Sequence, residues 1–384
     1  MKEITTILQA FAEILHNAET SFLATVVNVK GSTYRRPGAR MLMTQTGSII
    51  GMISGGCLEN DVFEHTRVSM PDGQPIAITY DSTADEDIVW GFGLGCNGLV
   101  QVLIERLDRD DLLNPLVFIQ ECFDKHQQGA IATVFAVEGA INIKVGERLI
   151  IHPDNNITSN ISEYSLKSAL IKDAQIALQN QKSAINKYQL SLGRVDVFIE
   201  VIQPPTNLII FGAGQDALPT VQFAKALGWQ VTIVDCRANE ATKERFTIAD
   251  QIILSRREIL HKQISVNEQT IAVVMTHNYL DDLEILKMVL PSSAKYLGIL
   301  GPKRRTEKLL QELSAEEVEY TPEKLEKLHS PIGLDIGADT PEAIALSIIA
   351  EIQAVLTNRC GGFLKNRTLP IHQQNEIKEI SIHL

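Results

Sequence analysis

The 384-residue sequence predicts an α/β chain in two parts, a mixed α+β region followed by a parallel sheet. Three observations predict it. Short apolar runs at Asn207–Phe211, Gln230–Asp235, Gln251–Leu254, 271–276 and 296–300 alternate with helical stretches, the pattern of a parallel sheet with helical crossovers. The first run opens directly onto Gly212-Ala213-Gly214-Gln215-Asp216-Ala217, and the second ends on Asp235. Before residue 203 the strand-like segments are instead separated by glycine-rich loops.

In chain order, Ile4, Ile7, Leu8, Phe11, Ile14 and Leu15 fall at helical spacing with glutamates between. This predicts an amphipathic first helix, not a signal peptide. Residues 22–29 and 39–43 read as strands around a Gly31 to Gly38 loop, and 76–80 and 99–104 as further strands. Residues 111–125 and 165–181 read as helices, 130–137, 148–151 and 195–201 as strands, and 155–163 as loop. Gln203-Pro204-Pro205-Thr206 is a stiff linker, since two prolines break regular structure. Thr340-Pro341-Glu342 opens a last helix, with threonine as N-cap and proline in the first turn. The expected division is an N-terminal α+β domain at 1–203, a Rossmann-like parallel-sheet domain at 206–357 and a tail at 358–384. Residues 106–200 are taken with the first domain, a separate small domain being the alternative.

Hydrophobic residues make up 45% of the chain and charged residues 21%, as in ordinary soluble domains. No apolar run reaches membrane-spanning length. A formal net charge of -12 argues against nucleic acid as the main partner. Five cysteines, Cys57, Cys96, Cys122, Cys236 and Cys360, are widely spaced and form no C-x-x-C. Free thiols in a reducing, cytoplasmic compartment are therefore expected.

The glycine motif fits a dinucleotide fingerprint: Gly212 for the tight turn, Gly214 for close approach of a pyrophosphate, Ala217 for helix packing, and Asp235 for a ribose hydroxyl. Asp216 inside the turn would repel a phosphate. Arg237 could pair with a 2′-phosphate, so NAD and NADP are not separated. His277 follows the fourth strand and Lys303-Arg304-Arg305 the fifth, at the sheet edge where ligands of such sheets bind. His277 is a candidate acid/base, a helix cap, or with Asp281 an incomplete metal pair; Lys303 and Arg304 are candidate phosphate contacts.

In the first part, Gly51-Met52-Ile53-Ser54-Gly55-Gly56-Cys57 leads from a strand into a helix. Gly55 and Gly56 allow a tight turn, and free N–H groups at a helix start would favour a Cys57 thiolate. A merely buried cysteine would look the same. Cys96 lies in a second glycine-rich loop, 91–98. Thiolates suit soft or redox-active metals and sulfur transfer. Ser32, Thr33, Arg35, Arg36 and Arg40 offer hydroxyls and guanidiniums for a phosphate or a pterin ring.

Gly31-Ser32-Thr33-Tyr34-Arg35-Arg36-Pro37-Gly38-Ala39-Arg40-Met41, the Ser54-Gly55-Gly56-Cys57 core and the Gly95-Cys96-Asn97-Gly98 loop together resemble the signature of the XdhC/CoxI family. The Gly212 motif, Thr276-His277, Gly298-Ile299-Leu300-Gly301 and the run from Pro331 to Glu342 resemble its second half. The resemblance covers about 20–105 and 205–357, and Gln215 and Asn97 depart from the residues often found there. The resemblance implies an accessory protein more than an independent enzyme. It would bind molybdenum cofactor (molybdopterin), assist its sulfuration by a cysteine desulfurase-type donor, and deliver it to an apo molybdenum hydroxylase of the xanthine-dehydrogenase type in purine catabolism. Cys57 is then the expected molybdenum or persulfide contact, with Cys96 second. Arg35, Arg36 and Arg40 would neutralise the pterin phosphate, the cofactor would sit between the domains, and a homodimer would be in keeping. Two other readings stay open: an NAD(P)-dependent oxidoreductase using His277, and a nucleotide-sensing interaction protein with structural cysteines.

Overall fold

The computed structural model describes residues 1–69, 73–81, 98–371 and 377–382. The chain divides into two compact units. One comprises residues 3–204 with 372–384, the other residues 1–2 with 205–371.

The first unit holds two mainly antiparallel sheets. After helix α1 (Lys2–His16), strands β1 (Ser21–Gly31), β2 (Arg40–Thr44) and β3 (Ile49–Gly51), helix α2 (Glu59–Ser69), and strands β4 (Ile76–Asp81) and β5 (Gly98–Leu107) follow. These strands form one sheet in the order β3-β2-β1-β5-β4. The second sheet begins after α3 (Pro115–Asp124). It contains β6 (Gly129–Gly139), β7 (Arg148–Ile151), β8 (Ile157–Ser159), then, after α4 (Tyr164–Gln179), β9 (Ala184–Leu190) and β10 (Gly193–Ile202). Its order is β17-β9-β10-β6-β7-β8, where β17 (Ile377–Ser381) comes from the far C-terminus and pairs in parallel with β9. Residues read as tail thus supply an edge strand.

The sheets face each other through Val27 and Leu103 of the first and Phe135, Ile185 and Phe198 of the second, all buried. A larger core joins Ile7, Leu8 and Phe11 of α1 and Leu116 and Ile119 of α3 to strand residues of both sheets. Two buried ion pairs cross in opposite senses. Arg40 of β2 grips Glu200 of β10, and Arg148 of β7 donates to Glu105 of β5.

Sequence expectations hold for most of these elements. Three differ for local reasons. The helix expected over 111–125 starts only at Pro115, because Asn114 caps it, accepting from the amides of Leu116 and Val117. The expected loop 155–163 contains β8, whose three residues are too few for a periodic pattern. Strand β9 reads Ala-Ile-Asn-Lys-Tyr-Gln-Leu and buries Asn186, so polar residues on its inward face mask its alternation.

The second unit is a six-stranded sheet. Strands β11 (Asn207–Phe211), β12 (Gln230–Asp235), β13 (Gln251–Leu254), β14 (Thr270–Val274), β15 (Tyr296–Ile299) and β16 (Leu328–His329) lie in the order β13-β12-β11-β14-β15-β16, every pair parallel. This is the doubly wound order 3-2-1-4-5-6, with the switch point between β11 and β14. Alternate residues of β11 point to opposite faces. Leu208 and Ile210 pack under α5 (Ala217–Ala226) and α10 (Pro341–Leu356). Ile209 and Phe211 pack under α7 (Tyr279–Val289) and α8 (Lys303–Ala315). Both faces are covered, which is why these strands are continuously apolar. Two short helices, α6 (Ala241–Arg245) and α9 (Pro322–Glu326), lie in the connections. No helix among the described residues is long and apolar enough to cross a membrane.

Candidate functional site

In the first unit the 31–38 loop and the 55–57 turn, which carry two of the predicted N-terminal motifs, meet. Ile53 and Leu58 are buried in the core beside α2, and between them Gly55, Gly56 and Cys57 form an exposed crest. The crest is tied down from below. The Ser54 hydroxyl oxygen accepts from the amides of Gly56, Cys57 and Leu58 at 3.1, 3.0 and 3.1 Å. The Ser54 hydroxyl in turn donates to Glu59, whose carboxylate also accepts from the amides of Ile53, Ser54 and Leu58. Burial pushes the Glu59 carboxyl up, but the Ser54 hydroxyl and the surrounding amides outweigh it and hold it below the usual carboxylate range.

This corrects one expectation. The N–H groups of Gly56, Cys57 and Leu58 ahead of α2 are not free, because Ser54 and Glu59 already accept from them. What the turn presents is the exposed Cys57 thiol itself, on a hydrogen-bonded backbone. Gly56 has φ +108°, and a Cβ there would meet nothing within 4 Å, so open space lies beside the thiol's neighbour. The Tyr34 ring, 67% exposed, lies over Gly55, 3.7 Å from where a Cβ would sit, and so bridges the 31–38 loop to the crest.

The predicted guanidiniums fare differently. Arg35 pairs with Glu3 of α1 at 2.5 Å, and Glu3 also accepts from the amide of Met52. Arg36 is half-buried, its Nε has no hydrogen-bond partner, and no carboxylate pairs with it among the described residues. Arg40 is not available to a ligand phosphate: it is 6% exposed and donates through both terminal nitrogens to Glu200. Ser32 is exposed on the loop crest, and the backbone carbonyls of Lys30 and Ser32 crowd Gly98, the first residue of β5. Cys96 and residues 91–97 around it lie outside the described residues. Among the described residues no cluster of three or more His, Cys, Asp or Glu side chains could hold a metal ion.

In the second unit the carboxyl edge of the sheet gathers the other predicted residues. Gly212 has φ +132°, and a Cβ there would lie 2.3 Å from the Met275 carbonyl, so only glycine lets β11 turn against the end of β14. Ala217 is fully buried at the start of α5. Asp216 precedes that helix without capping it. Its carboxylate instead lies 2.6 Å from His277 Nε2, and His277 holds a left-handed φ of +58°. Asn278 caps α7, accepting from the amides of Leu280 and Asp281. Asp282, 2% exposed, accepts from Thr276 Oγ1 at 2.5 Å and from Arg305 Nε and Nη2 at 3.0 and 2.6 Å. Asp281 pairs with Arg257 at 2.8 Å. Lys303 and Arg304 are exposed in the first turn of α8.

Tested against a nicotinamide dinucleotide, these residues do not fit. Asp235 is 1% exposed, and its carboxylate accepts from Thr242 Oγ1 at 2.6 Å and from the Arg237 amide at 3.0 Å. Burial raises its pKa, yet these donors and the Arg237 charge hold it below the usual range, so it is ionised and fully engaged. The expectation that Asp235 reads a ribose hydroxyl is therefore corrected: the residue is at the strand end where such acids stand, but it is turned into its own loop. Cys236 beside it is also unsuited to act as a thiolate. Burial, with Asp281 and Asp235 nearby, pushes its thiol up to about 12.

The sequence showed Ser54 only as a letter of the cysteine motif, and Glu59 lies just beyond it. They are five residues apart, not the three of a capping box, so no local rule marked their joint role. Tyr34 and Glu3 likewise gained their parts only through the fold.

Fold and sites together define a two-unit α/β protein that pairs a cysteine-bearing antiparallel unit with a Rossmann unit. The family models agree. One described as the XdhC Rossmann domain matches residues 208–352, and one described as the XdhC and CoxI family matches 14–81 and 122–189. A Bacillus subtilis protein named as a probable xanthine dehydrogenase subunit is 32% identical over 88% of this chain and 94% of its own length. The chain belongs to the XdhC and CoxI family. The Escherichia coli molybdenum cofactor insertion chaperone PaoD is 22% identical over 91% of this chain and 88% of its own. A crystal structure of a xanthine dehydrogenase from Bacillus halodurans superposes with a TM-score of 0.72 at 28% identity, covering 94% of this chain and 98% of that one. The match at 122–189 includes the middle region that sequence motifs left without a counterpart.

Proposed function

We propose that this chain binds molybdenum cofactor and passes it to an apo molybdenum hydroxylase of the xanthine-dehydrogenase type, as an accessory protein. The observation that carries the reading is the Cys57 crest: an exposed thiol held on a turn whose amides are internally satisfied, in a chain related to a protein named as a cofactor insertion chaperone.

The residues present suit that group. A soft sulfur donor is exposed at Cys57, which suits molybdenum or a carried sulfur atom. The exposed face of Tyr34 beside Gly55 gives a flat ring against which a pterin can stack. Arg36, without a carboxylate partner among the described residues, is the best placed of the three arginines to meet a phosphate. When bound, the cofactor would supply the molybdenum centre that the client enzyme needs. The protein's own part is to hold it and keep Cys57 at a fixed position. A cysteine desulfurase-type donor and assistance with sulfuration belong to the same proposal, with Cys96 as the second thiol. The cytoplasm is the proposed compartment, consistent with free cysteines.

The test is to co-express the chain with cofactor biosynthesis intact and to measure molybdenum and pterin per purified chain for wild type and Cys57→Ala. Near-stoichiometric cofactor in wild type, lost in a normally folded variant, is the expected result. Absence of pterin from both, or full client activity with the variant, sinks the assignment.

A further inference from the structure

The glycine-rich turn of the Rossmann unit has the sequence of a dinucleotide site, and the proposed function leaves it unexplained. In such a turn the second glycine matters because a pyrophosphate lies against it and a side chain would be in the way. Here the space beside Gly214 is already filled from within the chain. A Cβ on Gly214 would lie only 2.2 Å from Asp216 Oδ1. The intruding atom is an anionic oxygen, so it excludes a phosphate by charge as well as by volume. The carboxylate is held there. Its other oxygen sits 2.6 Å from His277 Nε2, and α5 gets no side-chain cap from it. Arg245 braces the same turn, donating to the Ala213 carbonyl at 2.6 Å.

We infer that Asp216 is an internal anion that closes the Rossmann turn to phosphates, and that it is the residue by which this unit rejects adenine and nicotinamide dinucleotides. The turn keeps its glycines for backbone reasons. Gly212 must clear the Met275 carbonyl, and Gly214 must clear Asp216 itself. The buried and engaged Asp235 makes a second obstacle, at the ribose rather than at the phosphates.

The experiment is a gain of function, read by calorimetry on the full chain with inorganic pyrophosphate and ADP as probes. These need only the turn, not Asp235 or a nicotinamide pocket. Wild type is expected to show no saturable binding up to about 1 mM, and Asp216→Ala to bind at least about tenfold more tightly than that limit. Asp216→Asn keeps the volume and removes the charge. Binding equal to Asp216→Ala assigns the exclusion to charge, and wild-type behaviour assigns it to occupied space; both support an Asp216 block. Circular dichroism confirms that the variants fold. Saturable wild-type binding of either probe below about 1 mM, or an Asp216→Ala variant that folds and is as blind as wild type, overturns the inference. Molybdenum content is a separate readout, so failure here leaves the cofactor proposal standing or falling on its own test.

Discussion

Ser54 is the residue on which the candidate site rests. One hydroxyl oxygen accepts from three consecutive amides and its proton goes to Glu59. Ser54→Ala leaves the amides of Gly56 and Cys57 without their acceptor in a half-buried turn, so a loss of about 1–3 kcal/mol is expected in urea unfolding. Loss of cofactor at Cys57 should follow even though the thiol is untouched. Glu59 adds a pH dependence. Its folded pKa lies below the unfolded value, so its contribution is complete above the unfolded value and is lost as pH falls through the folded one. Glu59→Gln should flatten the acid limb of a stability–pH curve; an unchanged limb would mean that the Glu59 network contributes little. Thiol reactivity separates the cysteines. Cys57 and Cys360 are exposed, whereas burial raises both Cys122 and Cys236 to about 12. Iodoacetamide at neutral pH should therefore modify Cys57 and Cys360 in the folded chain and spare Cys122 and Cys236. Mass mapping that finds Cys236 labelled as fast as Cys57 would contradict the arrangement at the end of β12.

At the scale of elements, sequence and structure agree at the start of the last helix. Thr340 accepts from the Ala343 amide and Pro341 sits in the first turn, as the Thr-Pro-Glu run predicts. At α7 the cap is Asn278 and not His277, the residue the sequence offered for it. Asn278→Ala should lower stability by about 1 kcal/mol and release the 276–278 loop that aims His277 at Asp216, which a thermal melt and the His277 ring resonances would report. A melt unchanged within error would show that the cap is dispensable. The strands of the second unit were legible because burial on both faces makes each one a short apolar block between turn residues. In the first unit the signal weakens. Strand β9 carries Asn186 on its inward face, β8 has three residues, and β17 lies within the stretch that reads as tail. Pairing partners, not local pattern, make those segments strands.

Across the whole molecule, the first unit is held by two reciprocal charge pairs as well as by its apolar core. Arg40 and Glu105 come from one sheet, Glu200 and Arg148 from the other. Removing one partner strands a buried charge, so Arg40→Met alone should cost about 3–5 kcal/mol, while Arg40→Met with Glu200→Leu should recover much of it. Equal unfolding midpoints for the single and double variants would show that Glu200 finds another partner. The arginine that looked like a phosphate contact is thus part of the scaffold. Nothing in a single arginine within a loop motif distinguishes the two roles; its partner lies 160 residues away. Residues 372–384 belong to the same unit, where β17 covers the edge of β9.

By itself the sequence determined the parallel sheet and its switch-point turn, the cap of the last helix, the family resemblance and the presence of a cysteine in a glycine turn. All of these depend on periodicity or on residues a few positions apart. Only the tertiary structure decided that the amides around Cys57 are already satisfied, that Arg40 serves a sheet-to-sheet ion pair, that Asp235 faces its own loop, and that Asp216 fills the space a pyrophosphate would need. The physical reason is common to all four. A polar side chain can bind a ligand only if the fold has not already given it a partner, and those partners are set by which segments the chain brings into contact.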